Sequence, residues 1–305
     1  SARFDSARLN RGDDFAVSVD RRGKSYVVSI KGDALDARSV IKYYLGKGGQ
    51  SAAGDDAASG NGLELTASLS AVSGFNSEVL RGVTLTYASA GNAPGRLKAG
   101  ATTRAGGKIT LSRGNGTVDA TSTDAGAIMR FLDFYANMEG GQMRLALSEA
   151  GKVLSGSVAA QDFFIVNEPR LRSLVAATEK GTGDAEVDAT RVRFERGFSN
   201  IRKAGGSLEL NNGVLRGPLI GTTFQGRLFD ASNNVSITGT FMPLYGINRI
   251  FGEIPLFGNI LGNGRDRGLI GITYRLYGNL DEPQLEVNPI SAIAPGIFRQ
   301  IFEYR

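Results

Sequence analysis

Residues 63–70 read LELTASLS, a stretch in which leucine or alanine alternates with a polar residue. Successive side chains of a β-strand point to opposite faces of the sheet, so this period of two predicts a strand with one apolar and one polar face. The same period recurs at 142–147 (QMRLAL) and at 235–241 (VSITGTF). Its repetition predicts a mainly β chain, built as antiparallel sheet with one face in contact with water.

Turn signals separate these strands. Asparagine and glycine adopt the positive φ angles of tight turns most readily, and they recur between the apolar stretches. The clearest signals are Asn61-Gly62, Gly114-Asn115-Gly116, Asn212-Gly213 and Asn233-Asn234. The stretch 207–219 predicts a hairpin that turns at Asn212-Gly213. Residues 46–61 are of low complexity and predict an inserted loop.

Helical periodicity is confined to short amphipathic segments. Polar capping residues or an early proline precede them, as is typical of a helix N-terminus. The pattern predicts helices at 34–45, 125–138, 169–178, 244–251 and 290–303. Their spacing is too irregular for a solenoid repeat, so we expect several short helices that cap or line one sheet.

The composition narrows the possible chemistry. The 305-residue chain contains 42 glycines and no cysteine, histidine or tryptophan. It therefore lacks the usual general base, the usual zinc ligand, thiolate metal sites and disulfides. Its net charge of +5 is spread along the chain, without the clustered basic and aromatic residues that nucleic acid binding requires. We expect no nucleic acid ligand.

No nucleotide-binding or nucleophile motif is complete. Gly106-Gly107 lacks the spacing of a phosphate-binding loop, and Ser207 lacks the second glycine of a serine elbow. A pair of carboxylates acting on sugars need not be adjacent in sequence. Sugar sites usually offer aromatic platforms, however, and this chain has no tryptophan. We expect no enzymatic activity, no catalytic residue, no cofactor and no metal site.

The apolar phase of the strands supplies the candidate binding residues. Such side chains line either a closed core or an open groove for an apolar ligand, and the period is the same in both cases. The sequence leaves both alternatives open. The candidate groove residues are Leu63, Leu65, Leu69, Met143, Leu145, Leu147, Phe224, Leu228, Val235, Ile237 and Phe241.

Two apolar segments containing proline follow near the end of the chain, GEIPLFGNIL at 252–261 and VNPISAIAPGIFRQIF at 287–302. Both are shorter than the roughly 18 apolar residues of a membrane span. Their sizes suit either a plug for the end of the sheet or a docking segment for a membrane surface or a protein partner. The candidate docking residues are Ile254, Leu256, Phe257, Ile293, Ile297, Phe298, Ile301 and Phe302.

The order of motifs after residue 194 resembles the C-terminal region of the bacterial AsmA-like superfamily. The matching features are GTFMPLY (239–245), IPLFGN (254–259), DEP (281–283), VNP (287–289) and APG (294–296). The resemblance is closest to the YhdP branch and extends to TamB. It covers residues 194–305. Residues 1–190 share only the general pattern of strands and short amphipathic helices, such as the segment 125–147, and none of these motifs.

The resemblance implies a bridge-like lipid carrier in the envelope of a Gram-negative bacterium. Such proteins are anchored in the inner membrane and hold a long, curved, taco-shaped sheet in the periplasm. Phospholipid acyl chains pass along its apolar groove toward the outer membrane. The anchor of this chain would then lie upstream of residue 1. The C-terminal end of the chain would bind a membrane surface, or a protein of the outer membrane or the periplasm.

On this basis the chain divides into a groove segment at 1–190 and an AsmA-like region at 191–305 that continues the same sheet. The alternative function is a non-enzymatic envelope assembly factor that binds protein partners through its sheet edges. Lipid transport predicts phospholipid in the purified protein and lipid crosslinks at Leu145 or Ile237. The assembly factor predicts protein adducts at the edge strands instead.

Overall fold

The computed structural model describes residues 1–45, 61–90, 95–172, 190–218, 220–243 and 272–288. The strands of the first half are β1 (Ala2–Ala7), β2 (Asp14–Arg22), β3 (Ser25–Asp36), β4 (Gly62–Ser73), β5 (Val79–Ser89), β6 (Arg96–Thr102), β7 (Lys108–Gly114) and β8 (Thr117–Ser122). Those of the second half are β9 (Met138–Ala150), β10 (Val153–Val166), β11 (Arg191–Ala204), β12 (Ser207–Arg216), β13 (Ile220–Phe229), β14 (Asn234–Pro243), β15 (Ile272–Asn279) and β16 (Gln284–Asn288). The helices are α1 (Arg38–Leu45) and α2 (Ala125–Phe131).

The strands hydrogen-bond in the order of the sequence, from β1 at one edge to β16 at the other. They form one long, curved sheet that is not closed into a barrel, which confirms the predicted mainly β fold with an open, curved sheet and short helices. β10 pairs with β11 from Leu154 opposite Lys203 to Val166 opposite Arg191. The sheet is therefore unbroken at residue 190, and the division into two segments stays a prediction.

One strand pair departs from the antiparallel arrangement. β3 and β4 run parallel, with Val28 opposite Leu65. Parallel neighbours need a connection that returns to the starting end of the sheet, which a tight turn cannot provide. The connection consists of α1 and the low-complexity stretch 46–61, most of which lies outside the described ranges.

Helix α1 begins four residues later than the helix predicted at 34–45. The reason is that β3 continues through Asp36, which pairs with Ser73 of β4. The Asp36 carboxylate then accepts the backbone N–H of Arg38 at 3.0 Å and its guanidinium at 2.6 Å. The hydrogen bond from Arg38 lowers the pKa of the Asp36 carboxyl. The last residue of a strand thus provides an acceptor for the first free backbone N–H of α1.

Helix α2 is shorter than the helix predicted at 125–138. Its start is confirmed, because the Asp124 carboxylate accepts the backbone N–H of Ala127 at 3.1 Å. The helix ends at Phe131, and Asp133 adopts a φ of +58°, which leaves the helical path. Met138 already belongs to β9.

The predicted hairpin at 207–219 is wrong. β12 runs through Asn212-Gly213 as one strand, and its register against both neighbouring strands shifts there. Asn212 has a positive φ of 52°, but it forms a β-bulge instead of a turn. The turn between β11 and β12 lies at Gly205-Gly206, where both φ angles are positive. The predicted positive φ is thus confirmed at Asn212 but not at Gly213, and it belongs to a bulge instead of a turn.

Three of the five predicted helices extend beyond the described ranges or lie outside them. The helix predicted at 169–178 is helical from Pro169 to Arg172, where the described part ends. The helices predicted at 244–251 and 290–303 lie outside the described residues.

Two buried clusters hold the sheet together. The N-terminal cluster joins Ile41 of α1 and Phe131 of α2 to strand residues, namely Phe15, Leu69, Val72 and Leu80. The C-terminal cluster joins Ala125 of α2 and Leu171 to the strand residues Met138, Phe163, Val192, Phe194, Ile220 and Phe241. Both helices thus pack on the same face of the sheet, near the ends of the strands that they connect.

Candidate apolar groove

The strand register separates the side chains of the central strands into an apolar and a polar face. Residues directly opposite each other on neighbouring strands point to the same face. One row of partners crosses β3 to β12 and consists of Val28, Leu65, Tyr87, Leu97, Arg113, Val118, Leu147, Gly156, Ile201 and Leu210. The next row crosses β3 to β11 and consists of Ile30, Ala67, Leu85, Ala99, Leu111, Ala120, Leu145, Val158 and Ser199. We call these two rows the groove floor.

The opposite face of the same strands is polar. The row between the two floor rows consists of Ser29, Thr66, Thr86, Lys98, Ser112, Asp119, Ala146, Ser157, Asn200 and Asn211. Ala146 is its one apolar member. Because a one-residue shift reverses the two faces, this register is strongly specified by the sequence.

The groove floor is long and only partly covered. Its members are half-buried, apart from buried Ser199 and exposed Arg113. Ten strands at the usual spacing of a sheet extend over about 40 Å. The floor is therefore a largely apolar surface, interrupted by Arg113 and Ser199, that stays partly exposed along this distance.

Helices α1 and α2 cover the groove face at one end of the strands. Leu69, a candidate groove residue, is 4% exposed because it lies in the N-terminal cluster beneath α1 and Phe131. Gly74 beside this cluster has no room for a side chain, since a Cβ would collide with the Phe131 ring. The strand ends that contact the helices thus belong to the core, and the floor begins farther along the strands.

The sheet curves so that the ends of its C-terminal strands, β13 to β16, return to the face on which α2 packs. Phe134, in the turn after α2, stacks on Phe229 at the end of β13 with 6.3 Å between ring centroids. The Arg170 guanidinium, next to the end of β10, donates a hydrogen bond to the carbonyl of Pro283, between β15 and β16, at 3.1 Å. A twist of about 20–25° per strand adds up to more than 100° from β10 to β16. This twist accounts for the return of distant strand ends to α2.

A buried carboxylate fixes this arrangement. Glu168 is 7% exposed and accepts hydrogen bonds from the Tyr135 hydroxyl (2.8 Å), the Asn137 amide (3.3 Å) and the Arg170 guanidinium (3.1 Å). Burial, together with the nearby charge of Glu168, raises the pKa of Tyr135 well above its usual value. The network joins the turn after α2, the end of β10 and, through Arg170, the turn before β16. We call these four residues, Tyr135, Glu168, Arg170 and Pro283, the latch.

The candidate groove residues fall into three groups. Leu63, Leu65, Met143, Leu145 and Leu147 lie half-buried on the face of the groove floor, and Phe224 and Leu228 on β13 are also half-buried. Leu69 is buried beneath the helices. Val235, Ile237 and Phe241 are 2%, 7% and 2% exposed, so they lie in a closed core on the rolled side. The candidates on the central strands are thus partly exposed and those on β14 are buried, and the binding of an apolar ligand to this face stays a prediction.

The sequence analysis missed several floor residues. Leu85, Leu97 and Leu111 alternate with polar residues in the same way as Leu65 and Leu145, so the signal was present in the sequence. The neighbouring strands of these residues could not be identified without the register. The floor is consequently longer than the predicted residues indicated.

Charged groups are sparse on the groove side. Arg113 and Glu149 form an ion pair with two hydrogen bonds, at 3.1 and 2.6 Å. The Glu149 partner raises the pKa of Arg113. Lys203, opposite Leu154 and Leu208, also points to this face because Ile201 of the floor is two residues before it. Lys203 was not singled out from the sequence, although it interrupts the apolar phase of its strand.

The candidate docking residues cannot be placed in the fold. Ile254, Leu256, Phe257, Ile293, Ile297, Phe298, Ile301 and Phe302 lie outside the described residues. The alternatives of a plug and a docking segment therefore both stay predictions.

Comparison with known proteins gives no match to a family model, a curated protein or a solved structure. The AsmA-like assignment therefore stays a prediction. In the described parts of the chain, no helix has the length and apolar character needed to cross a bilayer. Within the same parts, no three acidic, cysteine or histidine side chains are grouped so that they could hold a metal ion.

Proposed function

We propose that this chain is a non-enzymatic, bridge-like segment that carries phospholipids between the inner and outer membranes of a bacterial envelope. In this proposal it works in the periplasm, and a segment outside the sequence anchors the whole protein in the inner membrane. The observation that carries the proposal is the half-buried apolar floor that crosses β3 to β12. The AsmA-like resemblance supports it independently.

The chemistry of the floor suits an acyl chain. Burying a methylene group contributes about 0.8 kcal/mol, so a lipid tail gains substantially from contact with leucine and valine side chains. Polar headgroups keep their hydration at the open side of the groove, which avoids the cost of burying them. Binding and movement of a lipid require no catalytic group, consistent with an apolar lining.

The C-terminal strands that return to α2 limit how far an acyl chain can extend along the sheet. Val235, Ile237 and Phe241 are already packed in the core, and the latch holds β15–β16 over α2. The acyl chain is therefore expected on the floor of β3 to β12 and not between these three side chains. Of the two crosslinking positions that the sequence suggests, Leu145 is kept in this proposal and Ile237, which is 7% exposed, is not.

The test combines lipid analysis with site-specific crosslinking. Mass spectrometry of the purified chain should detect phospholipid. A photoreactive side chain at Leu145 should crosslink to this lipid, whereas one at Phe198 should not. Phe198 is a matched control because it is 43% exposed and lies on the opposite face of β11. Absence of lipid together with absence of crosslinks at Leu145 would contradict lipid transport.

The second candidate, an envelope assembly factor, is favoured by the edge strand β1. Among the described strands, β1 pairs with β2 on one side only, and Phe4 in it is 58% exposed. Unpaired backbone groups at a sheet edge can bind a strand of another protein. Photocrosslinking from Phe4 in cells should yield protein adducts if this function applies, while lipid adducts at Leu145 favour transport.

A further inference from the structure

Lys203 places a basic side chain on the groove side, at the border of the floor. It lies at the end of β11, between Leu154 of β10 and Leu208 of β12, and its side chain is half-buried. Ile201 precedes it by two residues on the same face and belongs to the floor. A lysine side chain therefore leaves the groove side of the sheet between two leucine positions, close to the end of the strand.

The carboxylates nearest in the register are already engaged. Glu149, opposite Leu154 on β9, pairs with Arg113 at 2.6 Å. Glu209 pairs with Arg202 at 3.4 Å on the opposite face of the sheet. Within the described residues, no hydrogen bond or ion pair involves the Lys203 side chain, and burial lowers its pKa.

An unpaired ammonium beside leucines is energetically unfavourable, because part of its hydration is lost without a compensating hydrogen bond. An anionic group at this point would restore that interaction. The same ligand would also need an apolar part, since Leu154 and Leu208 are the register partners of Lys203 and Ile201 precedes it on the same face. A molecule with an anionic head and an acyl tail satisfies both requirements.

We infer that Lys203 binds the phosphate of a phospholipid headgroup whose acyl chain lies on the neighbouring groove floor. The inference rests on the proposed lipid function and adds to it a binding residue and a preference for anionic lipid. Lys203 then acts as a headgroup contact at the border of the floor. The ion pair of Arg113 on β7 with Glu149 on β9, two strands from Lys203, remains neutral as a unit.

The test compares two lipids with the same fluorescent acyl chain, phosphatidylglycerol and diacylglycerol, which differ in the phosphate. The full 305-residue chain is used, and dissociation constants are measured by fluorescence polarisation. A charge-assisted hydrogen bond corresponds to a preference of about tenfold for phosphatidylglycerol in the unaltered chain. Lys203→Met should abolish this preference and leave diacylglycerol binding unchanged, whereas Lys203→Arg should retain it.

Lys98→Met is the matched control. Lys98 is exposed on the polar face of β6, so its replacement should preserve the preference. Circular dichroism and thermal melting check that each variant is folded. Lys203→Met should be at least as stable as the unaltered chain, because it keeps the aliphatic stem and removes a half-buried charge.

The possible results separate the inference from the proposed function. If both lipids bind equally well, or if Lys203→Met keeps the preference, the headgroup site is contradicted but lipid carriage is not. If neither lipid binds, both are contradicted. Equilibrium dialysis with inorganic phosphate tests whether free phosphate, instead of a lipid headgroup, binds at Lys203. Binding of phosphate alone as tightly as the lipid would contradict a lipid site.

Discussion

Arg170 and Pro283 lie 113 residues apart and are joined by a hydrogen bond of 3.1 Å from the guanidinium to the carbonyl oxygen. The bond brings the turn between β15 and β16 to the end of β10. It thereby joins the helix side of the sheet to the last described pair of strands. The same sheet therefore has an accessible apolar surface on its central strands and a packed interior on its rolled side.

Removing the latch donor should loosen the rolled strands. Arg170→Met keeps the aliphatic stem but removes the hydrogen bonds to Glu168 and Pro283, and should lower the free energy of unfolding by about 1–3 kcal/mol. Hydrogen exchange should become faster at 284–288. Urea unfolding and exchange mass spectrometry measure the two effects.

The control for this variant is Arg193→Met. The pair of Arg193 with Asp162 at 2.9 Å is more than half exposed on both sides. Its loss should change the free energy of unfolding by less than about 0.5 kcal/mol. Equal effects of the two variants, or unchanged exchange at 284–288 in Arg170→Met, would show that the latch does not hold the strands.

Stability should fall at high pH through Tyr135. Its pKa in the folded chain is raised above the usual value near 10, so the phenol stays protonated in the fold while the unfolded chain loses the proton. The stabilisation is complete below pH 10 and is lost above it, by at most about 1.4 kcal/mol per pH unit. The stability advantage over Tyr135→Phe should therefore narrow above pH 10. A constant difference from pH 8 to pH 11 would contradict the burial of this hydroxyl.

Shortening single side chains to alanine should distinguish the buried core from the groove floor. Phe241→Ala removes a ring that is 2% exposed and should lower the free energy of unfolding by about 3–5 kcal/mol. Leu145→Ala shortens a half-buried side chain and should cost only about 1 kcal/mol. Denaturant unfolding of both variants measures the difference. A cost at Leu145 equal to that at Phe241 would indicate that the floor is covered by protein.

The sequence predicted the type of the fold through local periodicity. LELTASLS is sufficient for a two-faced strand, and Leu63 and Leu65 lie on the apolar face as their period requires. Helix starts were predicted where a capping side chain is close in sequence, as at Asp124. Asn212 shows the limit, because a bulge and a turn both use its positive φ and only the neighbouring strands distinguish them.

The distribution of open and closed regions could not be predicted. Leu145 and Ile237 have the same alternating sequence context, yet one is half-buried and the other is 7% exposed. The difference arises from twist accumulated over many strands and from contacts such as Phe134 with Phe229. Lys203 escaped notice for a similar reason, since its lack of a partner depends on which strands lie beside β11.

The most direct measurement of the central claim uses a phospholipid with a photoreactive group in its acyl chain. After illumination with the unaltered chain, mass spectrometry identifies the labelled residues. We expect labels at floor residues such as Leu85, Leu111 and Leu145, and none at Thr86, Ser112 or residues 234–243. Labels on the polar face, confined to 234–243, or absent altogether would contradict an acyl-chain path along the groove floor.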